Sequence, residues 1–165
     1  MYALNELVNY GAHGVCRVTD TEVQKVGGKQ ISYLVLVPVE QPGAKFLVPQ
    51  SSTAAMAKLR PLISKDALLT ALDPTSIADA WIADEVARKL QYKTLLSSGS
   101  PTELAAMLFA LYAQKKQQLS AGKKFHMSDD LFLRDAEKLL ASEAAVVLGL
   151  SYPDALQHIR TTLDI

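Results

Sequence analysis

The 165-residue chain is 49% hydrophobic and 21% charged, which excludes a disordered polypeptide and fits one compact domain or two small ones. Seventeen Lys and Arg balance seventeen Asp and Glu, so no overall field draws the molecule to nucleic acid or membrane. A single cysteine, Cys16, rules out an internal disulfide and fits a reducing compartment. No apolar run approaches the ~20 residues of a membrane span. The start, Met-Tyr-Ala-Leu-Asn-Glu, lacks the basic and apolar blocks of a signal peptide, so a cytoplasmic protein is expected.

The first fifty residues read as strand. Leu4, Leu7, Val8 and Tyr10 open it, and Gly11 and Gly14 bracket Ala12-His13 in a turn or bulge. Val15, Arg17 and Thr19 then alternate with Cys16, Val18 and Asp20. Val26-Gly27-Gly28-Lys29 is a hairpin turn, and 31–39 is a dense apolar run suited to a central strand. Gln41-Pro42-Gly43 makes a second turn before a short strand over 45–48, stopped by Pro49. Four or five short strands in so few residues predict a small closed barrel of the SH3 or Tudor type. Residues 51–59 read as a short helical turn and 60–63 as a bridge.

Helical periodicity governs the rest. Ser64 caps a helix over 65–72, and Asp73-Pro74-Thr75-Ser76 breaks the chain. Ser76 and Asp79 resemble a capping box for a helix running to about 96, ended by Ser97-Ser98-Gly99. Ser100-Pro101-Thr102-Glu103 starts another helix, with Leu104, Met107, Leu108, Leu111 and Tyr112 on one face, ending near 118. Ser128-Asp129-Asp130 opens the next, where both carboxylates suit the positive helix end. Its buried stripe is Leu133, Ala136, Leu140, Ala144 and Val147, and Gly149 ends it. A last helix covers about 152–163. The fold class expected is α+β: a small β-barrel over 1–63, then an all-α bundle over 64–165.

Few residues suggest bond-making chemistry. His13, His126 and His158 fall in a turn, a loop and the last helix, with no pair at metal-ligand spacing. Gly27-Gly28-Lys29 is no phosphate loop, because the spacing and the following helix are missing. Ser97-Ser98-Gly99-Ser100 reads as a stop followed by a start rather than an anion cradle. Asp84-Glu85 and Asp129-Asp130 are placed at helix surfaces. No enzyme activity, metal or cofactor is expected.

Charge distribution is more informative. Between residues 88 and 124 lie Arg88, Lys89, Lys93, Lys115, Lys116, Lys123 and Lys124 against Glu103 alone. Such a stretch is either solvated lysines or a surface for phosphates. Trp81 is the single tryptophan. At 100° per residue its helix has Ile82, Val86 and Leu90 as the apolar stripe, with Trp81 on the other side beside Glu85, Arg88 and Tyr92. An indole there either packs on a neighbour or meets a partner, and a flat ring suits an opened base step.

These residues resemble one family. Val8-x-Tyr10-x-Ala12-His13-Gly14-Val15, then Gly28, Tyr33-x-Val35-Leu36, Leu47-Val48-Pro49 and Leu59-Arg60-Pro61-Leu62 look like the opening of the CarD/CdnL transcription regulators. Leu96-Ser97-Ser98-Gly99 and Ala136-x-x-Leu139-Leu140-x-Ser142-Glu143 are similar to its later helices. The resemblance implies a Tudor-like domain, shared with transcription-repair coupling factors, that docks a strand edge on the β subunit of bacterial RNA polymerase. Carried onto this chain, the contacts fall at Gln24, Val26, Phe46 and Leu47, with Leu47 standing where relatives have a basic residue. It also implies a helical domain on promoter DNA, with a tryptophan wedged in the minor groove to hold the bubble open. Trp81 is that tryptophan's counterpart one turn early, with Arg88, Lys89, Lys123 and Lys124 as candidate phosphate contacts. The arginines that follow the family tryptophan are replaced by Ile82-Ala83-Asp84-Glu85. The protein expected is a monomeric, nucleoid-associated regulator. The alternative is a polymerase-binding adaptor whose helical domain contacts another protein.

Overall fold

The computed structural model describes residues 1–98 and 100–165, so the expected helix stop at Gly99 lies outside the described residues. The chain divides into two compact units, Met1–Leu62 and Ile63–Ile165. Five antiparallel strands build the first: β1 (Leu7–Tyr10), β2 (Val15–Val26), β3 (Lys29–Pro38), β4 (Phe46–Pro49) and β5 (Leu59–Pro61). Helix α1 (Thr53–Met56) precedes β5.

The sheet order is β4-β3-β2-β1-β5, with β4 and β5 at the margins. Both margins nevertheless feed one core of Val8, Cys16, Val18, Leu34, Leu36, Val48 and Leu59. The sheet therefore wraps around its own side chains as a barrel does, and among the described strands of this unit β4 pairs on one side only, with β3. Gly11–His13 is a 3-10 turn, and Gly14 follows with a φ of 77° that a side chain would resist. The β2–β3 hairpin closes through Gly27 and Gly28, both at positive φ, with Val26 opposite Lys29. The expected bridge over 60–63 is in part a strand, because β5 pairs with β1 from Val8–Pro61 to Tyr10–Leu59.

The second unit has five helices among the described residues: α2 (Lys65–Ala71), α3 (Glu85–Ser98), α4 (Pro101–Ser120), α5 (Met127–Leu148) and α6 (Tyr152–Leu163). The α+β class is as expected. Ser64 and Ser151 cap α2 and α6 by accepting the Ala67 and Asp154 N–H groups, and Gly149 ends α5 in the left-handed conformation. At Ser100 the side chain makes no cap bond, and Glu103 instead accepts from the Ser98 hydroxyl. Leu68, Leu72, Tyr92, Leu104, Met107, Leu108, Leu111, Leu140, Ile159 and Leu163 are the largest fully buried apolar side chains in its core.

The expected helix from 76 to 96 is corrected. Residues 72–84 are not helical, and α3 begins at Glu85. The Ser76 hydroxyl donates to the Thr70 and Asp73 carbonyls rather than capping. Asp84 is the cap: its carboxylate accepts the Ala87 N–H at 2.8 Å. The expected stripe of α3 is inverted too. Val86 and Leu90 are 76% and 70% exposed, while Arg88, Tyr92, Leu95 and Leu96 are buried.

Candidate interaction sites

On the β unit, register sorts the expected polymerase contacts. Gln24 opposes Ile31, Val26 opposes Lys29 and Leu47 opposes Val35. Side chains alternate between faces along a strand. Gln24, Val26 and Leu47 therefore share the face of Ile31, Tyr33 and Val35, opposite the one that carries Leu34 and Leu36 into the core. Phe46 opposes Leu36 and packs on that core, with its ring 5.6 Å from Tyr10 and 4.3 Å from His13. The four expected contacts thus divide: three lie on the outer face, and Phe46 supports the sheet from within. Register slips by one residue at Thr19, between Val18 and Asp20. That bulge puts the apolar Val23 on the core-side parity at a point where the hairpin has left the core, and Val23 and Val26 are both exposed.

Lys45 forms an ion pair with Glu22 at 2.6 Å across the sheet. Burial pushes the Cys16 thiol up to about 11, so this cysteine is a packed hydrophobe and not a nucleophile.

On the helical unit, everything converges on residues 79–92. Arg88 is the centre. Its Nε and Nη2 donate to the two carboxylate oxygens of Asp129 at 2.9 Å each, a side-on fork. Its Nη1 donates to the Ile82 carbonyl at 2.9 Å and the Ala83 carbonyl at 3.2 Å. The guanidinium carbon lies 4.4 Å from the centroid of the Trp81 ring. The two ion-pair side chains are only 6% and 1% exposed. The hydrogen bonds it donates to the Asp129 carboxylate hold the Arg88 guanidinium charged, its pKa raised above the already high ordinary value.

Tyr92 continues the lacing. Its hydroxyl donates to the Ala80 carbonyl at 3.0 Å and its ring meets Phe132 edge-on at 5.7 Å. Burial pushes its pKa up to about 12. Asp79 accepts the Trp81 N–H. Trp81 itself is half-buried and packs, with Ile77 and Ile82, against the core. The irregular segment is therefore held by named bonds to α3, which satisfy carbonyls a helix would otherwise have used.

The expected DNA contacts are placed as follows. Arg88 is buried in an internal ion pair, which corrects its role: it cannot reach a phosphate without leaving Asp129 uncompensated. Lys89 pairs with Glu85 one turn earlier at 2.6 Å, a bond that holds the Glu85 carboxyl below its usual range. Lys123 and Lys124 are exposed in the loop between α4 and α5. Nearby, Lys115 pairs with Asp130 at 2.8 Å and lies 5.7 Å from the Phe125 ring. Asp129, read from sequence as a solvated helix-end charge, is instead the buried partner of Arg88. Its signal was its place in the first turn of the longest helix, where an arginine on an otherwise apolar helix face needs a carboxylate. A second buried network was also missed: Glu137 accepts from Tyr112 at 2.5 Å and from Arg160 at 2.7 Å.

Comparison with known proteins bears on the β unit. A search of curated proteins finds no match to the chain. Residues 2–63 match the family model described as the CarD-like/TRCF RID domain, the span of the wrapped sheet and its marginal strand β4. The N-terminal unit of this chain belongs to the CarD-like family of RNA polymerase-interacting domains.

Proposed function

We propose that this protein is a non-enzymatic, bacterial, cytoplasmic transcription regulator. Its β unit docks on the polymerase β subunit, and its helical unit contacts promoter DNA and stabilises the open complex. The observation that carries the DNA half is the half-buried indole of Trp81, set on the irregular segment before α3, with Lys123 and Lys124 exposed on the same unit. A ring inserted at an opened base step gains stacking worth about 1–3 kcal/mol, enough to slow re-annealing by one or two orders of magnitude. No group in this reading makes or breaks a covalent bond. The protein acts as a monomer that holds polymerase and DNA together.

A second reading is favoured by two observations. The solvent pole of α3 carries exposed Val86 and Leu90, and one of the expected phosphate contacts, Arg88, is internal. Both suit an adaptor whose helical unit meets a protein. Mobility shift of forked promoter DNA by polymerase plus this protein separates the two. The DNA reading expects Trp81→Ala to weaken the ternary complex roughly tenfold. Equal retardation by wild type and Trp81→Ala overturns it in favour of the adaptor.

A further inference from the structure

We infer that Arg88 is a positioning residue for Trp81, working as a rigid cationic platform whose own orientation is fixed by Asp129. This rests on the DNA reading of Trp81 for its consequence, but not for its geometry. Three features carry it. First, the fork on Asp129 uses Nε and Nη2, so the guanidinium plane is fixed by two parallel bonds at 2.9 Å rather than by charge alone. Second, the remaining nitrogen, Nη1, bonds the carbonyls of Ile82 and Ala83, the residues directly after Trp81. Third, the guanidinium carbon lies 4.4 Å from the indole centroid. One side chain thus holds both the backbone that carries the indole and one side of the ring. The indole is left with its remaining exposed surface at a set angle, before any partner arrives.

The physical consequence is pre-organisation. A tryptophan on an irregular segment would otherwise sample several rotamers, and ordering it on binding costs conformational entropy. The platform removes that cost in advance. It also explains why a basic residue can be buried here: its function is directed at the indole, not at phosphate. Lysine does not substitute, since an ammonium has no fork and cannot bond Asp129 and two carbonyls in one plane.

The test uses the single tryptophan as its own probe. Steady-state emission, acrylamide quenching and time-resolved anisotropy of Trp81 are measured on the full-length wild type, on Arg88→Lys, and on Arg88→Met/Asp129→Leu. The double variant replaces a buried ion pair by apolar side chains, a change that generally preserves folding. Arg134→Ala, which removes an exposed cation paired with Asp130 one turn earlier, is the control. In the wild type, anisotropy is expected to decay with overall tumbling only. In folded Arg88 variants a fast component appears, emission shifts to the red and quenching rises, while Arg134→Ala matches wild type. A large fast component in the wild type overturns the platform, whatever the variants do. So do variants that remain folded by circular dichroism with unchanged quenching. Forked-DNA binding is then compared. Loss of affinity roughly tenfold in both Arg88→Met/Asp129→Leu and Trp81→Ala upholds the link to DNA. If the fluorescence responds as expected but neither variant alters DNA binding, the platform stands and the DNA reading fails.

Discussion

Removing Asp129 strands a charge in the core of the helical unit. In Asp129→Ala the Arg88 guanidinium keeps its bonds to Ile82 and Ala83 but loses both carboxylate oxygens. With both side chains nearly inaccessible to water, breaking such a pair costs about 3–5 kcal/mol, mostly as the penalty of an uncompensated buried cation. In a unit of this size that lowers the midpoint by on the order of 15–30 °C. The neighbouring carboxylate is the internal comparison: Asp130 pairs with Lys115 and Arg134 at a partly open surface. Asp130→Ala is therefore expected to cost less than about 1 kcal/mol. Urea denaturation read by Trp81 fluorescence reports the helical unit selectively, because the β unit holds no tryptophan. Asp129→Ala no more destabilised than Asp130→Ala would refute the claim that a buried pair anchors this segment.

Other expectations follow from the same geometry. Leu47→Asp, on the outer sheet face, is expected to abolish capture of RNA polymerase without lowering the melting temperature much. Phe46→Ala, whose ring packs inward, is expected to destabilise the β unit by about 3–5 kcal/mol, measured by thermal melting. Cys16 is expected to resist thiol reagents at pH 8 in the native protein and to react on adding denaturant, because burial holds its pKa near 11. Tyr92 and Tyr112 are pushed up to about 12 from 10. Their folded forms keep the proton when the unfolded forms lose it, so they support folding below pH ~10, and this support fades as pH rises to ~12. Denaturant midpoints across that window should fall, with a shallower slope for Tyr112→Phe. Gly28→Ala meets no atom within 4 Å but sits at a φ of +80°, so it is expected to cost about 1–2 kcal/mol of backbone strain.

Most of the fold was legible because its signals are local. The Gly-Gly hairpin, the serine cap at 64 and the stop at Gly149 each act within a few residues. So do the alternation that marked the start of β2 and the dense apolar run that marked β3. Strand β5 escaped notice because three residues ending in a proline have no pattern of their own, and only pairing with β1 makes them a strand. The inversion of α3 has the same origin. Counting hydrophobics assigns Val86 and Leu90 to the core, but an arginine bonded to a carboxylate 41 residues away decides the face instead. Trp81 was singled out as unusual, but the helix that was to align it with Arg88 and Tyr92 does not reach residue 81, and the two side chains meet through the fold of the irregular segment instead. That Arg88 and Tyr92 face inward was not legible, because the reason lies in Asp129. The outer-face positions Gln24, Val26 and Leu47 came from family resemblance, and strand register alone separates them from Phe46.

On the proposed reading the helical unit, through one indole, prolongs the life of melted promoter DNA on a polymerase held by the β unit. The direct measurement is the decay of preformed open complexes after a heparin challenge, with wild type, with Trp81→Ala and with no added protein. The account predicts a longer lifetime with wild type and a return to the unassisted lifetime with Trp81→Ala. Equal prolongation by both proteins would contradict it.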